Sequence, residues 1–144
     1  MTALPLFDSF AAQVMARTEE VLRSAELTVK AQRLLIILRE HQGAANAVPL
    51  DELMRGLNLG DRAVKALVQD LCLTHGIQIG RSRQVPSGYF LISSEDEAID
   101  STSPMYAQAM TELRVIWRTR RGAADIRQFL QQISLDLPTE AGAR

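Results

Sequence analysis

Few side chains in this sequence have the types and spacing that catalysis or metal binding requires. The chain holds one cysteine, Cys72, and two histidines, His41 and His75. A single cysteine cannot form an intramolecular disulfide or a zinc cage of cysteines, and neither histidine has a cysteine or carboxylate neighbour at ligand spacing. The sequence also lacks a nucleophile elbow, a phosphate-binding glycine loop, a His-x-x-x-His pair and a Cys-x-x-Cys pair. We therefore expect no enzyme activity, no metal and no cofactor.

The acidic clusters Asp51-Glu52 and Glu95-Asp96-Glu97 are typical of helix N-termini rather than of catalysis. Carboxylates interact favourably with the positive end of the helix dipole, and Ser93-Ser94 places a hydroxyl cap before the second cluster. Cys72 lies between two leucines, so we expect its thiol to be buried and inert.

Composition narrows the class of protein further. The chain has 144 residues, of which 47% are hydrophobic and 23% charged, which is typical of one globular domain with or without appended helices. Its net charge of −1 excludes a broadly basic nucleic-acid coat. The longest apolar run, Leu34–Leu38, is far shorter than the roughly 20 residues of a membrane span. With no signal-peptide pattern, we expect a cytoplasmic protein without a membrane partner.

The near-neutral total hides an uneven distribution of charge. Residues 29–92 carry eight basic and five acidic side chains, and residues 93–112 carry five acidic side chains and no basic one. Residues 113–127 carry five arginines and one aspartate. Two basic blocks are therefore separated by an acidic one.

Two helices are predicted at the start of the chain. The first runs from about residue 7 to 25, with Thr18 as the weak point of its apolar stripe. Thr28 is a suitable N-cap for a second helix over about 29–41. The stripe of the first helix consists of Phe7, Phe10, Ala11, Val14, Val21, Leu22 and Ala25.

The segment 48–76 predicts a helix-turn-helix. Pro49 suits a helix start, and Asn58 tolerates the left-handed conformation of a tight helix stop. A second helix begins near Gly60 or Asp61 and ends at Gly76. Two short helices joined by three or four residues form this motif. The apolar stripes of the two helices are Leu50, Leu53, Met54 and Leu57, then Val64, Leu67, Val68 and Leu71.

A β-hairpin is predicted directly after the second helix. Residues 77–79 alternate like a strand, 80–88 form a basic turn, and 89–92 form the return strand. A helix then begins after Ser94, and Ser101–Pro104 interrupts it.

A further helix begins at Met105. Its apolar stripe and the apolar stripe that follows Gly122 would lie on opposite faces if the whole segment were one straight helix. We therefore predict a break or bend at Gly122 and a frayed tail over 138–144. We expect the aromatic residues of this region in the core rather than in a base-stacking platform: Tyr106, Trp117 and Phe129.

The order of helix, helix-turn-helix and basic hairpin resembles the winged helix-turn-helix family. The resemblance covers about residues 29–92 and is carried by Leu53, Leu57, Leu59, Val64, Leu67, Leu71 and the hairpin end Gly88-Tyr89-Phe90-Leu91. The segment 88–97, followed by an arginine-bearing helix, is also similar to short winged-helix proteins of phages and mobile elements.

The resemblance implies a mainly α fold with a small β-hairpin. The helix patterns and the resemblance together divide the chain into an N-terminal amphipathic helix at 1–28, which is a possible dimerisation element, a winged helix-turn-helix domain at 29–92, a C-terminal helical extension at 93–137 and a flexible tail at 138–144.

The resemblance also implies that the second helix of the pair, about 61–73, enters the major groove of DNA. That helix would present Arg62, Lys65 and Gln69 to the groove, where Arg can pair with guanine and Gln with adenine. Arg81 and Arg83 at the tip of the wing, 80–88, would contact phosphates or a narrow minor groove.

A second basic set lies further along the chain. Arg114, Arg118 and Arg121 share one helix face and are candidates for secondary phosphate contacts. Pairing with the acidic block 95–100 is an equally strong interpretation.

Two functions follow from these patterns. The first is a DNA-binding protein that acts in transcription control or in replication of a mobile element. The second is a protein-interaction module that keeps the fold without binding DNA, because Gly60 replaces the usual hydroxyl cap and Asp61 and Asp70 add negative charge to the reading helix. The flanking helices, about 6–26 and 105–135, either form a homodimer interface or pack within one chain.

Overall fold

The computed structural model describes residues 9–120 and 123–136, the latter stretch with side chains from Arg127 onward. These residues confirm a mainly helical chain with a small antiparallel hairpin. The chain divides after Thr102 into two compact units. No helix in the described ranges is long and apolar enough to cross a membrane. The elements are α1 (Phe10–Ser24), α2 (Val29–Arg39), a 3-10 helix (Ala44–Asn46), α3 (Leu50–Leu57), α4 (Asp61–His75), β1 (Ile79–Ser82), β2 (Gly88–Leu91), α5 (Glu95–Arg120) and α6 (Ala123–Asp136).

The core of the first unit is formed by the apolar stripes of the first four helices. Burial of each such leucine or valine stabilises the fold by roughly 1.5–3 kcal/mol relative to an exposed side chain. The stripes predicted for α3 and α4, together with the apolar run Leu34–Leu38 in α2, supply most of this core. The fully buried core side chains of these helices are Leu34, Leu35, Leu38, Leu53, Leu57, Val64 and Leu71.

The apolar face of α1 is covered within the chain, mainly by α2. Val14 and Val21 are buried in the same core. Thr18 is also fully buried, and its hydroxyl donates to the Val14 carbonyl oxygen at 2.8 Å, so its polar group is satisfied and the buried stripe continues through it. An Arg39–Glu19 ion pair of 3.2 Å joins the two helices at their edge. For α1, intrachain packing is therefore the arrangement found.

The boundaries of the helices follow their capping residues. Thr28 caps α2 by accepting a hydrogen bond from the Ala31 N–H. Asn58 ends α3 in the left-handed conformation, at φ 53°, and Gly76 ends α4 at φ 69°. Gly60 precedes α4 without a side-chain cap. The predicted ends of these two helices, at Asn58 and at Gly76, are therefore confirmed.

The hairpin differs from its prediction on the first strand. The predicted strand 77–79 was wrong, because β1 begins at Ile79 and continues through Arg81 to Ser82. Gly80 permits this extension, since a Cβ there would lie 2.6 Å from the Phe90 ring on the opposite strand.

The far edge of β2 is also paired, so the strand has a hydrogen-bonded neighbour along each edge. Val48 and Tyr89 exchange two backbone hydrogen bonds of 2.8 and 2.9 Å. The Leu91 N–H donates to the His41 carbonyl, and the Gly43 N–H donates to the Leu91 carbonyl. The four residues of β2 are buried in a row because both of its faces are covered: Tyr89 and Leu91 lie in the main core, and Phe90 packs in a second cluster with Ala47.

The predicted interruption at Ser101–Pro104 was wrong, because α5 is continuous from Glu95 to Arg120. Its start is fixed by the Glu97 N–H, which donates to the Ser94 hydroxyl at 3.1 Å. Pro104 removes one donor from the helix, and the carbonyl it leaves belongs to Asp100, an exposed residue that water can reach. Gly122, where a break was predicted, and the tail 138–144 lie outside the described residues.

The aromatic residues after position 102 are not core residues. Tyr106 is 69% exposed, Trp117 50% and Phe129 37%, so the core prediction for them was wrong. None of the residues of α5 is buried. Periodicity identified an apolar stripe correctly but could not identify what covers it.

Candidate nucleic-acid interface

The candidate reading surface is the exposed face of α4. Arg62, Lys65 and Gln69 all lie on it and are exposed, while Val64 and Leu71 on the other side are fully buried. Steps of three and four residues place the three polar side chains on neighbouring turns. Because the opposite side of α4 is buried in the core, these three polar side chains face outward.

Two cations from the preceding helices hold the ends of the motif. The Arg17 Nε donates to the His75 carbonyl oxygen at 2.8 Å, at the C-terminus of α4. The Lys30 ammonium donates to the Leu57 carbonyl oxygen at the C-terminus of α3. Cations are favourable at these negative helix ends. Sequence reasoning missed both contacts, because 58 and 27 residues separate the partners and no local pattern indicates them.

The charges on the exposed face of α4 partly cancel. Lys65 forms an i,i+4 ion pair with Asp61 at 3.1 Å, and Asp70 accepts a hydrogen bond from the Thr74 hydroxyl. Arg62 has no ion pair among the residues that the structure describes. An exposed helix pair of this kind contributes only about 0.3–0.5 kcal/mol, so Lys65 can exchange Asp61 for a phosphate at little cost.

The hairpin separates the two arginines that were predicted at its tip. Arg81 lies within β1 opposite Tyr89, and its guanidinium carbon is 5.7 Å from the centre of the Tyr89 ring. The backbone N–H of Arg81 donates to the Ser101 hydroxyl at 3.0 Å. The tip placement of Arg81 was therefore wrong, because β1 extends past it. Arg83 is exposed in the turn that follows.

The electrostatics of the hairpin are purely positive. No acidic residue occurs between Asp70 and Glu95, and neither hairpin arginine forms an ion pair within the described part of the chain. The hairpin segment is therefore positive by itself, and the contact of Arg81 with Ser101 brings it beside the acidic start of α5.

The arginines of α5 form a separate group. Arg114 and Arg118 are exposed, one helical turn apart. The alternative that they pair with the acidic block 95–100 is not observed among the described side chains. Arg121, predicted on the same face, lies outside the described residues.

The pKa of the Glu97 carboxyl is clearly shifted below its ordinary value. Burial raises the pKa of this carboxyl, but hydrogen bonds from the Ala44 N–H, the Ser93 N–H and the Ser93 hydroxyl, each 2.8 Å long, outweigh burial and lower it. This carboxylate fixes the start of α5 to the 3-10 helix, so its role is structural.

The remaining reactive side chains do not form a cluster. Cys72 is exposed, so the expectation of a buried thiol was wrong. His41 Nδ1 lies 2.7 Å from the Asn46 carbonyl oxygen. Across the described ranges, no group of three or more histidine, cysteine or acidic side chains is arranged to hold a metal ion. No protein-family model, curated protein or solved structure matches this chain.

Proposed function

We propose that this protein binds double-stranded DNA in the manner of a winged-helix protein. The order α2, α3, α4, β1, β2 supports it, as does the Val48 segment that pairs with the outer edge of β2. The observation that carries the proposal is the order in which two exposed surfaces follow each other along the chain. A helix that exposes Arg62, Lys65 and Gln69 is followed directly by an acid-free hairpin with Arg81 and Arg83.

Each side chain has a definite role in this proposal. The Arg62 guanidinium can donate two hydrogen bonds to guanine, and the Gln69 amide can pair with adenine in the same way. Lys65 contacts a phosphate after releasing Asp61. Arg83 meets the DNA backbone from the turn, and Arg81, held against Tyr89, meets it from β1. These roles suit transcription control or replication of a mobile element.

The proposal predicts different effects for backbone-contacting and base-contacting residues. After selection of a preferred site from a random duplex pool, the double variant Arg81→Ala/Arg83→Ala should weaken binding about tenfold or more on every sequence. Gln69→Ala should instead change preference at one base position. These outcomes are measured by fluorescence anisotropy on the selected site and on single-base variants of it.

A matched control removes the same charge elsewhere. Arg23→Ala/Arg33→Ala takes two exposed arginines from α1 and α2, and it should leave affinity within about twofold, since both side chains lie outside the proposed surface. Equal losses for the control and the hairpin variant would contradict the assignment of the hairpin.

A protein-docking module is the second candidate function. The observation in its favour is the C-terminal half of α4, where Leu73 is 75% exposed beside the exposed Cys72. Exposed apolar surface near a charge-neutral helix face is typical of a protein interface. Absence of duplex binding at low salt by the folded protein would favour this function over the first.

A further inference from the structure

We propose that Ser101 is a positioning residue for Arg81, the hairpin arginine that meets the DNA backbone from β1 in the proposed function, on which this inference rests. The start of α5 packs on the hairpin and fixes the strand that carries Arg81. We call the side chains of α5 that make this contact the docked face. They are Glu97, Ala98 and Ser101.

Each residue of the docked face makes a contact outside α5. The Glu97 carboxylate accepts a hydrogen bond from the Ala44 N–H at 2.8 Å. Ala98 packs against a buried cluster that contains Phe90 of β2. The Ser101 hydroxyl accepts a hydrogen bond from a backbone N–H of β1 at 3.0 Å. Residues spaced by one and by four share one side of a helix, so the packing of the first two residues brings the Ser101 hydroxyl to β1.

The Ser101 hydroxyl satisfies a donor that the hairpin itself leaves unpaired. Arg81 lies opposite Tyr89, and the N–H and the carbonyl of Tyr89 both bond to Val48 on the far edge of β2. In an antiparallel pair, two residues that face each other without hydrogen bonds both direct their backbone groups away from the partner strand. The Arg81 N–H therefore points out of the edge of β1, where the Ser101 Oγ accepts it.

Arg81 is restrained at its side chain as well as at its backbone. Its guanidinium carbon lies 5.7 Å from the centre of the Tyr89 ring, while Ser101 holds its N–H. A side chain that is ordered before binding loses less conformational entropy when it contacts a phosphate. Arg83 follows β1 in the turn, so its backbone is not part of the strand that Ser101 holds. Arg81 is therefore the preorganised cation of the hairpin.

The other acidic side chains at the start of α5 lie off the docked face. Glu95, Asp96 and Asp100 are exposed, whereas the residues of the docked face are partly buried. At about 100° per residue, these three exposed carboxylates lie roughly 105–150° from the centre of the docked face. The group that reaches Arg81 from α5 is an uncharged hydroxyl, so the guanidinium keeps its charge available for a phosphate.

The first test measures amide hydrogen exchange by NMR on the full chain without DNA, so its result is independent of the proposed DNA binding. Ser101→Ala should raise the exchange rate of the Arg81 amide about tenfold or more. The Ile92 amide, which donates to the Gln78 carbonyl at 3.0 Å, should keep its rate within about twofold. The matched control is Thr102→Ala, since the Thr102 hydroxyl donates to a carbonyl of α5 itself, and it should leave both rates unchanged. An unchanged Arg81 rate in Ser101→Ala, or an equal rise at Ile92, would overturn the proposal.

The second test measures duplex binding by fluorescence anisotropy. Ser101→Ala should weaken binding about two- to fivefold, because the Arg81 side chain must then be immobilised on binding. Ser101→Thr keeps the hydroxyl and should restore the natural affinity within about twofold, and Thr102→Ala should stay within the same range.

An Arg81→Ala background separates positioning from a general effect on the fold. In that background Ser101→Ala should cause no further loss of affinity, because its effect acts through Arg81. Equal losses in both backgrounds would overturn this inference and leave the proposed DNA binding in place. Absence of duplex binding by the folded natural protein would contradict the proposed function and this inference with it.

Discussion

At the scale of single residues, Glu97 connects the start of α5 to the 3-10 helix. Replacement by Gln removes the charge that three donors share, and we expect it to lower the free energy of unfolding at pH 7 by about 1 kcal/mol, because the carboxylate is partly solvated. The folded protein holds the pKa of this group below its ordinary value of 4.5, so its stabilising effect is present above that value. The effect is lost as the pH falls through the lower folded pKa.

Urea denaturation of the natural protein and of the variant between pH 7 and pH 3 tests this. The difference between the two should shrink as the pH falls below about 4.5. Glu26→Gln, an exposed carboxylate in the loop between α1 and α2, should cost less than about 0.5 kcal/mol. A difference that is constant across the pH range would contradict the role given to Glu97.

Gly88 shows how closely two backbone segments approach at the hairpin. Its φ is +136°, and a Cβ would lie 1.9 Å from the Val48 carbonyl oxygen. Gly88→Ala should therefore destabilise the fold by about 3 kcal/mol or more. Gly60 is the matched control, since a Cβ there meets nothing within 4 Å. Gly60→Ser should be neutral or stabilise α4 by a few tenths of a kcal/mol. Equal urea midpoints for the two variants would contradict this account.

At the scale of elements, Arg17 and Lys30 act as C-terminal caps for α4 and α3. Arg17→Met and Lys30→Met each keep the apolar stem and remove the charge, so each should lower the free energy of unfolding by about 1 kcal/mol. Arg33→Met on the exposed side of α2 should change it by less than about 0.5 kcal/mol. Thermal melts of the three variants check this, and identical melting temperatures for all three would exclude the capping role.

Local sequence patterns predicted the elements whose limits are set by local chemistry. The Thr28 cap, the left-handed Asn58 and Gly76 fixed the ends of helices, and the stripes of α3 and α4 included their fully buried residues. The start of β1, the continuity of α5 through Pro104 and the pairing of Val48 with β2 were missed. The limits of β1 and the pairing of Val48 depend on contacts between distant segments, which outweigh a local turn signal. The helix continues through Pro104 because the carbonyl left without a donor is on the exposed Asp100.

At the scale of the whole molecule, the candidate surface was predicted residue by residue, but its electrostatics were not. Arg62, Lys65 and Gln69 share the exposed face of α4 as expected, whereas the ion pair of Lys65 with Asp61 and the ring contact of Arg81 appear only in three dimensions. The exposure of Tyr106 and Trp117 likewise turns a predicted core into an outer surface. An apolar stripe has the same sequence pattern whether its own chain or a partner covers it.

The salt dependence of duplex binding tests the central claim most directly. DNA contact through local cations predicts that log K falls linearly with log salt, with a slope of about −0.9 for each phosphate neutralised. Arg81→Ala/Arg83→Ala should make that slope shallower by about 1.8, because two phosphate contacts are lost. No measurable binding at low salt by the folded protein, or an unchanged slope in the double variant, would contradict the account.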